Sequence, residues 1–98
     1  MAKIEAELYG NFDIILADLH STVMGGSKSA TLEESSDIIS GSTRCSIRAY
    51  ERYSYLGNGR VSMNFTLFQT DGRIFLSVMS TGGSQAVFFK INTIGENS

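Results

Sequence analysis

The sequence predicts an α+β domain: one helix in the N-terminal half, packed on a curved antiparallel sheet of five or six strands, in the order β-α-β-β-β-β-β. Three observations predict it. Apolar residues recur at helical spacing only once, between Phe12 and Val23, and elsewhere they alternate with polar ones as in half-buried strands. The breaks between the alternating runs are short and rich in glycine, with 10 glycines and no proline in the chain, which suits tight hairpins. The length, 98 residues, allows one core, so residues 1–98 are read as a single domain.

The first strand is residues 2–9, where Ala2, Ile4, Ala6 and Leu8 alternate with Lys3, Glu5, Glu7 and Tyr9. Gly10 ends it. Asn11 is a good N-cap and Asp13 sits in the first turn, where its charge favours the helix dipole. Phe12, Ile15, Leu16, Leu19 and Val23 then make the apolar stripe of a helix over about 11–24, widened by Ile14 beside Ile15 and stopped at Gly25-Gly26.

The remainder reads as strands whose register can be tested, because a slip of one residue moves every side chain to the other face. Asp71-Gly72 is a strong two-residue turn. It pairs Thr70 with Arg73, Phe68 with Phe75 and Phe65 with Val78, and puts Val61, Met63, Phe65, Leu67, Ile74, Leu76 and Val78 on the core side. Gly41-Ser42 closes a hairpin pairing Ile38 with Cys45, Ser36 with Ile47 and Leu32 with Glu51. A three-residue loop at Gly57-Asn58-Gly59 pairs Tyr55 with Val61, Tyr53 with Met63 and Ala49 with Leu67, which matches the faces. Ala86–Ile91 reads as a last strand, turning at Gly83-Ser84 to pair Val78 with Phe89, and Asn92–Ser98 as a polar tail.

Composition narrows the function. A net charge of −2 supplies no field toward nucleic acid or anionic membrane. No apolar run approaches the ~20 residues that cross a bilayer. Met1-Ala2-Lys3-Ile4-Glu5 is no signal peptide, and Cys45, the single cysteine, excludes an internal disulfide, so a cytoplasmic protein is expected. With one histidine and one cysteine, no Cys/His zinc site is expected, and no cofactor.

Three groups of residues stand out. On the register above, Glu51 lies on the core side with Tyr53 and Tyr55. A carboxylate there needs a partner or a shifted pKa, which makes the three a candidate ligand pocket and makes Glu51 and His20 the catalytic candidates. Arg44, Arg48 and Arg52, with Tyr50, would line the outer face of the same strand, a pattern that suits single-stranded nucleic acid and equally an ordinary solvated face. Cys45 faces inward as a packing residue. Phe68, Phe75, Met79 and Phe88 lie on the outer face of the sheet, where water would demand polar side chains, and are the candidate interface.

Arg48-Ala49-Tyr50-Glu51-Arg52-Tyr53-Ser54-Tyr55 and Gly82-Gly83-Ser84-Gln85-Ala86, with Gly10-Asn11-Phe12-Asp13 and Lys90-Ile91-Asn92-Thr93, resemble a family of small uncharacterised proteins from Firmicutes. The resemblance spans most of the chain. It implies a bacterial cytosolic origin and no activity for any residue.

The function expected is therefore non-enzymatic: a domain that self-associates through its sheet as a homo-oligomer and binds a partner or small apolar ligand. One alternative is a small-molecule enzyme using an inward Glu51 with Tyr53 and Tyr55 or with His20. The other is nucleic-acid binding by the Arg44/Arg48/Arg52 stripe.

Overall fold

Strict alternation builds the first strand, β1 (Ala2–Leu8), and Asn11 starts the helix that follows, α1 (Phe12–Gly25). The structure is a computed structural model and describes residues 2–54 and 59–81. The Asn11 side chain accepts from the Ile14 backbone N–H at 3.0 Å, with Asp13 in the first turn, so the cap is formed as predicted. Phe12, Ile15, Leu19 and Val23 are buried along one stripe. Ile14 does not widen it. Adjacent helix positions point about 100° apart, and Ile14 is 61% exposed.

Four strands follow: β2 (Thr31–Ser40), β3 (Thr43–Ser54), β4 (Gly59–Thr70) and β5 (Arg73–Ser80). They form one antiparallel sheet in the order β1-β5-β4-β3-β2. The chain thus leaves β1 at one edge, crosses the face through α1, and enters β2 at the other edge. The last hairpin returns β5 beside β1, with Ala2 opposite Ser80 and Leu8 opposite Ile74. This overturns the expected pairing of Val78 with Phe89, because Val78 is paired with Ile4 on one side and Phe65 on the other. The proposed strand 86–91 itself lies outside the described residues.

The β4–β5 register is the one predicted, from Thr70–Arg73 to Phe65–Val78. Asp71 and Gly72 have φ of 52° and 75°, the left-handed pair of a type I′ turn. A Cβ on Gly72 would meet nothing within 4 Å, so Gly72→Ala tests backbone strain alone. It should cost roughly 1–2 kcal/mol, read as a lower urea midpoint, whereas Gly25→Ala, inside the helix, should not lower it. The β2–β3 hairpin also turns at Gly41-Ser42, with Gly41 at φ 59°, and pairs Ile38 with Cys45 and Ser36 with Ile47. A bulge between Leu32 and Glu34 shifts the far end, so Leu32 faces Tyr50 and Thr31 faces Glu51, in place of the expected Leu32–Glu51 pair.

The β3–β4 register differs from prediction. The ladder runs to Ser54–Gly59, and Val61 is opposite Arg52, not Tyr55. The slip is an odd number of residues, so every β3 side chain exchanges faces. Tyr50 enters the core and is opposite Met63. Arg44, Ser46, Arg48 and Arg52 join it on the helix side. Cys45, Ile47, Ala49, Glu51 and Tyr53 turn outward.

One core results. The α1 stripe packs with Leu8 of β1, Ile74, Leu76 and Val78 of β5, Met63, Phe65 and Leu67 of β4, and Tyr50 of β3. β2 has no share in it and is exposed along its whole length. The polar helix-side face of β3 follows from this, since the core does not extend beneath most of it.

Candidate functional site

Strand pairing places the outward side chains of β5, β4, β3 and β2 in rows across the sheet. One row is apolar throughout. Phe75 is opposite Phe68, Phe68 opposite Cys45, and Cys45 opposite Ile38. At strand spacings of about 4.8 Å this row runs some ~15 Å across the outer face. Its exposure is substantial: Phe68 is 37% and Ile38 60% exposed. Cys45 is free and half-buried, so the inward thiol expected from the sequence is instead part of an outer surface. Beside it runs a row of Ser77, Thr66, Ile47 and Ser36, and beyond that Met79, Asn64, Ala49 and Glu34. Met79 is 39% exposed.

Charge is confined to one end of the row. Glu7 of β1 is opposite Phe75, and its carboxylate accepts two hydrogen bonds from Arg73, at 2.9 and 3.0 Å. Those bonds hold Glu7 below the ordinary carboxylate pKa. The Arg73 guanidinium also lies 5.0 Å from the centroid of the Phe75 ring. Of the predicted interface, Phe68, Phe75 and Met79 share this face. Phe88 lies outside the described residues. The extra members, Cys45 and Ile38, were missed because the β3 register was slipped. Ile38 opposite Cys45 was the available signal.

Glu51 is not in the core. It projects from the outer face, 3.2 Å from Arg60, whose guanidinium lies 5.5 Å from the Tyr53 ring centroid. Together with Ser29, Thr31 and Glu33 these residues line an open groove of about 230 Å³. Tyr55 lies outside the described residues. The inward Glu51 that the catalytic reading required is therefore contradicted.

His20 sits on the other side of the sheet. Its Nδ1 is 2.8 Å from the Tyr50 hydroxyl, and the two rings are 5.8 Å apart. His20 and Glu51 are thus separated by the sheet and form no acid–base pair. Burial pushes the Tyr50 hydroxyl up to about 12. The crevice beside it, between Val23, Ala30, Val61 and Met63, has a volume of about 20 Å³, room for roughly one water.

The arginine stripe is also relocated. Arg44 makes two hydrogen bonds to Asp13, at 2.9 and 3.2 Å, and its guanidinium lies 4.1 Å from the Phe12 ring centroid. These bonds pin β3 to the first turn of α1 and hold Asp13 below the usual carboxylate range. Arg48 pairs with Asp37 at 3.0 Å, and the Ser46 hydroxyl donates to the same carboxylate at 2.6 Å. The Ser46 bond and then the Arg48 bond keep Asp37 low. With Tyr50 buried, Arg44 and Arg48 neutralised, and the stripe on the helix side, the expected basic-aromatic outer surface is not formed.

Among the described residues, no cluster of three or more His, Cys, Asp or Glu side chains is placed to hold a metal ion, and no helix is long and apolar enough to cross a membrane. Fold and surface of the described residues together define an α+β domain, one helix on an antiparallel sheet with an apolar outer row. The chain belongs to the family of unknown function DUF6054, whose model matches residues 1–98. No curated protein matches it. The fold is similar to that of the Pseudomonas aeruginosa protein PA94, a protein of unknown function described as a candidate regulator. The two are 8% identical, with a TM-score of 0.57 over 91% of this chain and 74% of that one.

Proposed function

We propose that this chain is a non-catalytic domain that self-associates through the outer face of its sheet. The observation that carries the reading is the continuous row Phe75–Phe68–Cys45–Ile38, four apolar side chains on four neighbouring strands facing away from the core. Apolar residues scattered singly on a surface need no explanation, but a contiguous patch marks a contact. A second copy is favoured because the flanking row is short and uncharged, Ser77, Thr66 and Ser36 around Ile47. Side chains of that size let two sheets approach to about 10 Å. The nearest charge, Glu7, is already neutralised by Arg73. A partner of other composition would use the same row.

Phe75→Asp puts a carboxylate into the apolar row that such a contact would bury. In sedimentation equilibrium the native chain should self-associate in a concentration-dependent way, and the Phe75→Asp chain should dissociate at least ten times more readily. A native chain that stays monomeric at hundreds of micromolar, or an aspartate variant of unchanged mass, would reject the reading.

A further inference from the structure

The two edges of the sheet are built differently. β1 presents Lys3, Glu5 and Glu7 on its outer side, and charge of this kind blunts an edge against further pairing. β2 is ten residues long and exposed throughout. Its first half carries Glu33 and Glu34 and is broken by the bulge at Leu32/Glu34. Its second half, Ser35–Ser40, pairs regularly with β3 and holds a single charge, Asp37, which Arg48 and Ser46 already engage from within the chain. Ile38 and Ile39 complete that half, 60% and 66% exposed. A regular, nearly neutral, β-branched edge is a template for another strand.

We propose that β2 pairs antiparallel, edge to edge, with β2 of a second copy of this chain, in a register centred on Ile38. The register argues for a second copy. A twofold axis perpendicular to the sheet keeps both outer faces on one side, so residues directly opposed must share a face. Only registers centred on a residue satisfy this. Centring on Asp37 sets two carboxylates against each other. Centring on Ser36 sets Ile38 against Glu34, at the bulge. Centring on Ile39 leaves little regular strand to pair. Centring on Ile38 opposes Ile38 to its own copy, Ser36 to Ser40 and Asp37 to Ile39, with no like charges in contact. It also joins the two outer rows, so that Phe75–Phe68–Cys45–Ile38 of one copy runs on into Ile38–Cys45–Phe68–Phe75 of the other. This contact is the edge of the sheet, a different surface from the face invoked for self-association, and the two can fail separately.

Disulfide trapping tests the register. In a Cys45→Ser background, which removes the native thiol opposite position 38, Ile38→Cys brings two thiols together across the axis, with Cα atoms about 4.5–5.5 Å apart. Ser36→Cys in the same background leaves its two thiols some four strand positions apart, about 13 Å, beyond disulfide reach. Under mild oxidation the Ile38→Cys chain should form a covalent dimer on a non-reducing gel at least ten times faster than the Ser36→Cys chain. Equal rates, or no dimer at position 38, would overturn the register. Both positions are exposed, and circular dichroism of the reduced chains confirms that each is folded. Adding Phe75→Asp to the Ile38→Cys chain separates the two contacts. Crosslinking that persists belongs to the edge, whereas crosslinking that disappears would assign the contact to the outer face and overturn the edge pairing.

Discussion

Phe65→Ala is expected to cost about 3–5 kcal/mol, the range for removing a fully enclosed aromatic ring. The whole stability of a domain of this size is about 5–15 kcal/mol, so the variant should lie near the edge of folding at room temperature. Phe65 has no exposed surface. Its ring stacks on Tyr50 with centroids 6.0 Å apart, and its strand neighbour on the helix side is Val78. Little can move to fill the hole, because α1 closes the core above it with Ile15 and Leu19, both fully buried. Urea unfolding followed by circular dichroism reads the loss directly. Phe68→Ala, three positions along the same strand on the outer face, should cost far less in the monomer. Equal losses at the two positions would mean that the faces of β4 are misassigned.

A second large effect is expected at alkaline pH. The Tyr50 hydroxyl keeps its proton up to about 12 in the folded chain, against an ordinary value of 10, because burial disfavours the phenolate. Between those values the folded chain holds a proton that the unfolded chain has released. Stability is therefore fully present below pH 10 and falls as pH rises toward 12, by on the order of 2 kcal/mol. Tyr50→Phe removes the titrating group. Near neutral pH it should cost about 1 kcal/mol for the lost hydrogen bond to His20. Above pH 10 its urea midpoint should fall less steeply than that of the native chain. Parallel curves from pH 9 to 12 would place the Tyr50 hydroxyl in water.

Local signals and long-range pairing were legible in the sequence to different degrees. The helix was readable because its stripe, its Asn11 cap and its first-turn Asp13 all agreed. The β4–β5 hairpin was readable because Asp71-Gly72 admits one turn and so one register. The β3–β4 connection had no such constraint. Glycines at positions 57 and 59 allow several loop lengths, and Ala49, Glu51, Tyr53 and Tyr55 are a weakly apolar set that does not discriminate between the two faces. The warning was Glu51 itself. Any register that buries a carboxylate and leaves Tyr50 and its ring in water inverts the usual preference. The opposite face was hard to favour because it carries three arginines. The partners of two of them, Asp13 on the helix for Arg44 and Asp37 on β2 across the Gly41-Ser42 hairpin for Arg48, are brought near by the fold. The long stem of Arg44 lies against Phe12 while its charged end meets Asp13, as amphipathic side chains do. The Phe68–Phe75 part of the outer patch is legible because it depends only on the Asp71-Gly72 turn. Its extension to Cys45 and Ile38 does not.

The return of β5 to the side of β1 has a consequence for how the chain is made. On the ribosome the N-terminal segment emerges first, at about 5–20 residues per second. Yet among the described residues β1 pairs only with β5, with Ala2 awaiting Ser80. The hairpins of β2 to β5 can close locally as they appear. The helix cannot complete the burial of Phe12, Ile15, Leu19 and Val23 until Ile74, Leu76 and Val78 have been synthesised. For several seconds the nascent chain therefore displays part of its apolar helix stripe uncovered, and its first residues wait for β5 before they pair.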